Sequence, residues 1–174
     1  MIIANAAKSN GTLICLAGKS IVMGPPSELG PIEPHLNGTP CTILAQPQFA
    51  AINYPLHQLA IDALKQTRKL AEMLLKEGML AGADQLDVDK VVQALGSRDV
   101  YFSHGSAIGH KDAAGLGLTI EALVDDDPIW QRIWLLYTMY DFDCRRDGLL
   151  KVYEGRGRST AVLIPPPSPP PPGP

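Results

Sequence analysis

The chain predicts an α/β domain, rich in helix, followed by a proline-rich C-terminal tail. Three features carry that reading. Short β-branched runs, at Ile2 and Ile3 and again at residues 20–23, alternate with stretches whose apolar residues recur at helical spacing. One amphipathic stretch, residues 54–76, is long enough for about six helical turns. From Pro165 onward the chain is almost pure proline, which favours polyproline II and packs no core.

Taken in order, residues 1–4 read as the end of a buried strand. Ser9 stands where this apolar start gives way to a helical run, and its hydroxyl is placed to cap that helix by accepting a first-turn amide. Gly18 suits a left-handed stop for the same helix. Residues 20–23 make a second buried strand. Residues 24–40 hold five prolines and three glycines, which enforce an irregular segment.

In the long helix of residues 54–76, Leu56, Leu59, Ala60, Ala63, Leu64, Leu70, Ala71, Leu74 and Leu75 form the apolar face. Gln58, Asp62, Lys65, Lys69, Glu72 and Lys76 occupy the other side. A further helix is predicted over residues 87–95, capped by Asp87 and stopped by Gly96. Residues 100–102 suit a short strand. A short helix over residues 111–116 ends at Gly117. The last helix spans residues 128–142, with Pro128 in its first turn and Asp125, Asp126 and Asp127 favourably placed before it. Trp130 and Trp134 read as core or interface residues.

At 174 residues the chain is one ordinary domain, residues 1–163, with the tail at 164–174. Its 45% apolar and 19% charged content excludes wholesale disorder. The net charge of -3 comes without the basic stripe of a nucleic-acid binder. Arg145, Arg146, Arg156 and Arg158 are interleaved with Asp141, Asp143, Asp147 and Glu154, a solvated mixed surface. Cys15, Cys41 and Cys144 are odd in number and widely spaced, which predicts free thiols in a reducing, cytoplasmic setting. No apolar run approaches the roughly 20 residues that cross a bilayer.

The chemistry concentrates at Ser9. A serine at a strand-to-helix turn exposes its oxygen, and the small residues Ala6, Ala7 and Gly11 let a carbonyl approach the backbone. The amide of Asn10 then points toward developing negative charge, as an oxyanion donor does. The same residues also suit a simple capping serine beside a glycine. Lys8 reads as surface.

The longer string A-A-K-S-N-G-T-L-I-C-L-A-G, continued by I-V-M-G-P-P-S-E-L-G-P-I-E-P, resembles the serine dehydrogenase proteinase (SDH) family. That family is related to signal peptide peptidase A and the Clp protease. Ser103-His104-Gly105 and D-A-A-G-L-G-L at residues 112–118 extend the resemblance over roughly residues 5–120. It implies a partial ClpP/crotonase-like fold and a serine endopeptidase acting on peptide or protein substrates, with Ser9 as nucleophile, Asn10 in the oxyanion hole and no cofactor. It also implies an N-terminally truncated chain, because relatives build further strands, the second oxyanion loop and any membrane-anchoring segment before the serine.

For the general base the order of preference is His57, then His35, then Lys65. The competing reading of His57 and of Lys65 is a surface residue. His104 and His110 lack a carboxylate or thiolate cluster, so no metal site is predicted; His104 reads as a turn residue. The alternative to an active peptidase is a non-catalytic subunit that oligomerises with itself or with full-length relatives through the long helix and the segment around Trp130 and Tyr140. A crotonase-type acyl-CoA enzyme ranks last. The tail reads as a spacer.

Overall fold

The computed structural model describes residues 1–165; the predicted proline tail from residue 166 lies outside them. About 48% of the structure is helical and 18% strand, so the mixed, helix-rich α/β class is found. The chain forms two compact units, Met1–Asp125 and the part from Asp126 onward.

The first unit opens with β1 (Ile2–Ile3), a bend at Ala4 and Asn5, and β2 (Ala6–Ala7), which leads through Ser9 into α1 (Asn10–Leu16). After α1 the pattern returns: β3 (Ile21–Met23), a turn at Gly24 to Ser27, and β4 (Glu28–Leu29). β3 lies parallel between β1 and β7 (Ile120–Ala122), and β4 lies parallel to β2 with Ala7 opposite Leu29. Each bend thus carries the chain from one small parallel sheet to another. Ser27 fastens the second bend by accepting from the Gly24 amide at 2.9 Å and donating to the Ile3 carbonyl at 2.5 Å.

Residues 24–40 are less irregular than predicted. Besides β4 they hold the hairpin β5 (His35–Leu36) and β6 (Thr39–Pro40), turned by Asn37 and Gly38 at positive φ. This is the mirror-image turn that matches strand twist. Two short helices, α2 (Cys41–Leu44) and α3 (Pro47–Ile52), precede α4 (Tyr54–Glu77). α4 matches its predicted span, but its buried face is narrower. His57, Ala60, Ala71 and Leu75 are buried, while Leu59 and Leu70 are exposed.

α5 (Gln85–Gly96) begins before the predicted Asp87 cap, leaving that residue in the first turn. Residues 100–102 form no strand; the Tyr101 amide turns back to the Ser97 carbonyl, and Arg98 donates to the Phe102 carbonyl at 3.0 Å. α6 (His110–Gly115) ends as expected near Gly117, whose φ is +99°. Gly18 is not left-handed. It is a close-approach glycine, since a Cβ there would meet the Met1 Cγ at 2.7 Å.

The main core joins Leu13 and Leu16 of α1, Ile21 and Met23 of β3, Ala71 and Leu75 of α4, and Val88, Val91 and Leu95 of α5. A smaller cluster of Cys41, Leu44 and Ala60 fastens α2 to α4. Cys15, Cys41 and Cys144 are free thiols.

The second unit consists of α7 (Pro128–Asp147) and an antiparallel hairpin, β8 (Leu149–Gly155) with β9 (Arg158–Leu163). Asp127 caps α7, its Oδ1 accepting from the Ile129 and Trp130 amides at 2.7 and 3.2 Å. α7 runs five residues past its predicted end and stops at Gly148, in the left-handed conformation. No helix among the described residues is long and apolar enough to cross a membrane.

Candidate functional site

Ser9 sits between β2 and α1 with φ 53° and ψ −116°. A β-carbon disfavours positive φ, so such a residue persists only where its surroundings hold it. The capping role expected of Ser9 is absent, for its side chain makes no cap hydrogen bond. The backbone explains why: capping requires an extended conformation, which swings the side chain over the first-turn amides. Here the chain instead turns sharply, with the Gly11 amide donating to the Lys8 carbonyl at 2.8 Å. Asn10 is exposed, and its amide belongs to the first turn, where a helix has no carbonyl of its own to offer.

Two neighbours hold this turn. Thr12 is fully buried; its Oγ1 lies 2.7 Å from the Ala7 carbonyl and 2.8 Å from that of Gly30, and accepts from the Gly30 amide at 3.2 Å. The hydroxyl thus ties the turn to the G-P-I-E-P segment. Lys8 is not the surface residue expected. Its ammonium forms an ion pair with Glu28 at 2.7 Å and donates to the carbonyls of Ser106 at 2.9 Å, Leu29 at 3.2 Å and Gly105 at 3.5 Å. A Cβ on Gly30 would meet the Lys8 Cδ at 2.4 Å, so glycine leaves the space through which the lysine passes.

The loop that Lys8 reaches is also pinned by reciprocal backbone bonds between Leu29 and Ile108, both 3.0 Å. It carries His104, whose ring packs edge-on against His35 with centroids 4.1 Å apart and planes at 79°. His104 Nδ1 is buried and has no hydrogen-bond partner. Leaving such an atom unpaired costs about 1–3 kcal/mol. Burial pushes the His104 imidazole below its ordinary pKa, His35 and Lys8 push the same way, and Glu33 opposes them. His104 is therefore more than a turn residue.

Glu33 is itself buried. It accepts from the Thr42 amide at 3.3 Å and from the Thr42 hydroxyl, and it lies 3.6 Å from the Arg98 guanidinium. Beside it opens a cleft of about 660 Å³ lined by Ile32, Glu33, Thr42, Leu64, Val92 and Arg98, among others. Ser9, His35 and His57 are not among its lining residues.

His57 is buried in the α2–α4 packing, where its Nδ1 lies 2.9 Å from the Leu44 carbonyl. A carbonyl can only accept, so that nitrogen carries the proton. The surface reading of His57 is therefore wrong, and its bond belongs to the smaller core cluster. Lys65 is exposed on α4. The structure brings Lys8, the residue before Ser9, into one neighbourhood with Glu33, His35 and His104; it records no side-chain bond from Ser9 to His35, His57, Lys65 or His104. No group of three or more histidine, cysteine or carboxylate side chains suited to a metal occurs among the described residues.

Sequence reasoning missed Thr12 and the role of Lys8. A buried threonine within a helix's first turn has no sequence mark, and two of the Lys8 partners, Gly105 and Ser106, lie almost a hundred residues downstream. No family model, curated protein or solved structure matches the chain.

Proposed function

We propose that this chain is a serine peptidase of the SDH/ClpP-like class, with Ser9 as nucleophile and the Asn10 amide as an oxyanion donor. The reading includes a partial ClpP/crotonase-like fold, which the repeated strand–bend–strand units and their two parallel sheets support. The observation that carries it is the Ser9 backbone, φ 53° and ψ −116°, with a side chain not spent on capping. A strained strand-to-helix turn is how an oxygen nucleophile is lifted clear of its own helix.

In this reaction the Ser9 oxygen attacks the scissile carbonyl of a peptide. Charge develops on the carbonyl oxygen beside the Asn10 amide, the amine departs, and water hydrolyses the acyl-enzyme. Such acyl transfer needs no metal or cofactor, and the free thiols fit a reducing cytoplasmic setting. Incubation of the full chain with a fluorophosphonate probe tests the reading. Ser9 is expected to be the labelled residue, with labelling lost in Ser9→Ala; a wild-type chain that takes up no probe overturns it.

A second reading, a non-catalytic subunit that assembles with copies of itself or with longer relatives, draws support from the second unit. There Leu135, Leu136, Met139 and Phe142 of α7 are all exposed. Sedimentation distinguishes the two: an assembled chain without probe labelling favours the subunit.

A further inference from the structure

We propose that His104, held against His35, is the group that accepts the Ser9 proton. The inference rests on the reading of Ser9 as a nucleophile and names its partner. A serine hydroxyl is a weak nucleophile until a base within reach takes its proton. His57 gives one ring nitrogen to Leu44 inside a separate core cluster, and Lys65 lies out on α4.

The placement of His104 follows from the lysine beside the serine. Lys8 immediately precedes Ser9, and its ammonium meets the carbonyls of Gly105 and Ser106, the two residues that follow His104. The Leu29–Ile108 pair fastens the same loop on its other side. The loop is thus held by the Lys8 side chain at residues 105 and 106 and by β4, the partner of β2, at residue 108. Within it His104 turns its ring inward onto His35 and keeps Nδ1 buried without a partner.

Buried polar atoms are nearly always paired, and an unpaired one calls for a partner from outside the fold, such as water, an ion or a reacting group. Four influences act on this imidazole. Desolvation, His35 and the Lys8 ammonium oppose its protonation, and the Glu33 carboxylate favours it. The balance keeps the ring neutral near neutral pH, which is the form able to take a proton. His35 touches no reacting atom in this scheme; its ring sets the plane of His104 and is a positioning residue.

The step balances within the chain and its substrate. As the Ser9 Oγ–carbon bond forms, the carbonyl π pair moves onto oxygen and the hydroxyl proton passes to the His104 imidazole. The imidazolium then returns that proton to the departing nitrogen as the carbon–nitrogen bond breaks.

The rate of fluorophosphonate labelling of the full chain, followed across pH, tests this. For the wild type the rate is expected to rise with pH to a plateau, with a midpoint below the ordinary histidine value of about 6.5. His104→Asn should slow labelling about 100-fold or more and remove the midpoint. His104→Gly should regain labelling on addition of free imidazole, a rescue that a merely structural role would not produce. A wild type that never labels overturns the nucleophile reading and this one with it. Ser9 labelling that His104→Asn leaves unchanged overturns this proposal alone. Where a variant fails to fold, the wild-type profile decides: a rate flat through the histidine range overturns the proposal.

Discussion

Side-chain polar atoms buried in the first unit are paired with a single exception, whereas the second unit leaves nearly all its groups, apolar ones included, at the surface. Thr12, Ser27, Glu33 and His57 each have partners inside the first unit, and only His104 Nδ1 lacks one. In the second unit Trp130 alone is buried among the described residues. α7 is held by its Asp127 cap, by Gly148 at its end, and by exposed ion pairs such as Arg145 with Asp141 at 2.9 Å. Exposed pairs of this kind add little. The first unit thus owes its stability to burial and near-complete pairing of its buried side chains, and the second to local helix and hairpin geometry. The one unpaired atom stands out because everything around it is satisfied.

Mutations can break this contrast at graded cost. Leu16→Ala empties a fully buried site in the main core, and chemical denaturation should show a loss of about 2–5 kcal/mol. Thr12→Val keeps the shape but strips the Ala7 and Gly30 groups of their hydroxyl; about 1–3 kcal/mol is expected, with Ser9 labelling impaired as well. Asp127→Ala removes the α7 cap and should cost about 1 kcal/mol, read as lost helical ellipticity on heating.

A smaller effect is expected from pH. A histidine whose folded pKa lies below its unfolded value binds a proton more readily when unfolded. Its contribution is therefore intact above the unfolded value and is lost as pH falls toward the folded one. Melting temperature should decline over that window, and His104→Asn should flatten the decline. Smallest of all, Leu135→Ala on exposed α7 should move stability by no more than about 0.5 kcal/mol. A large loss there would mean that the face is covered in solution, as the subunit reading requires.

The same contrast separates what the sequence reveals from what it hides. α4 was legible from its apolar spacing, and α7 from Pro128 and the aspartates before it, because these signals are local. The parallel strands around Ser9 were legible in part, from Ile2, Ile3 and the run at residues 20–23. β8 and β9 were not, since a hairpin exposed on both faces has no alternation of buried and solvent positions to announce it. At the site, the strand–turn–helix setting of Ser9 could be read from its neighbours. Its positive φ could not, because a serine also fits the ordinary cap. His104 escaped because its meaning lies in His35, sixty-nine positions away in the chain, and in Lys8 beyond that.

The reciprocal bonds between Leu29 and Ile108 give the site a built-in reporter. Loop 103–108 is held both by this pair and by the Lys8 side chain threading past Gly30. Neither fastening can release without loading the other, so opening should be a single cooperative event rather than gradual fraying. The amides of residues 29 and 108 would then exchange with solvent deuterium at one common rate. Shortening residue 8 should raise both rates together, and a bulky residue 30 should do the same from the opposite side.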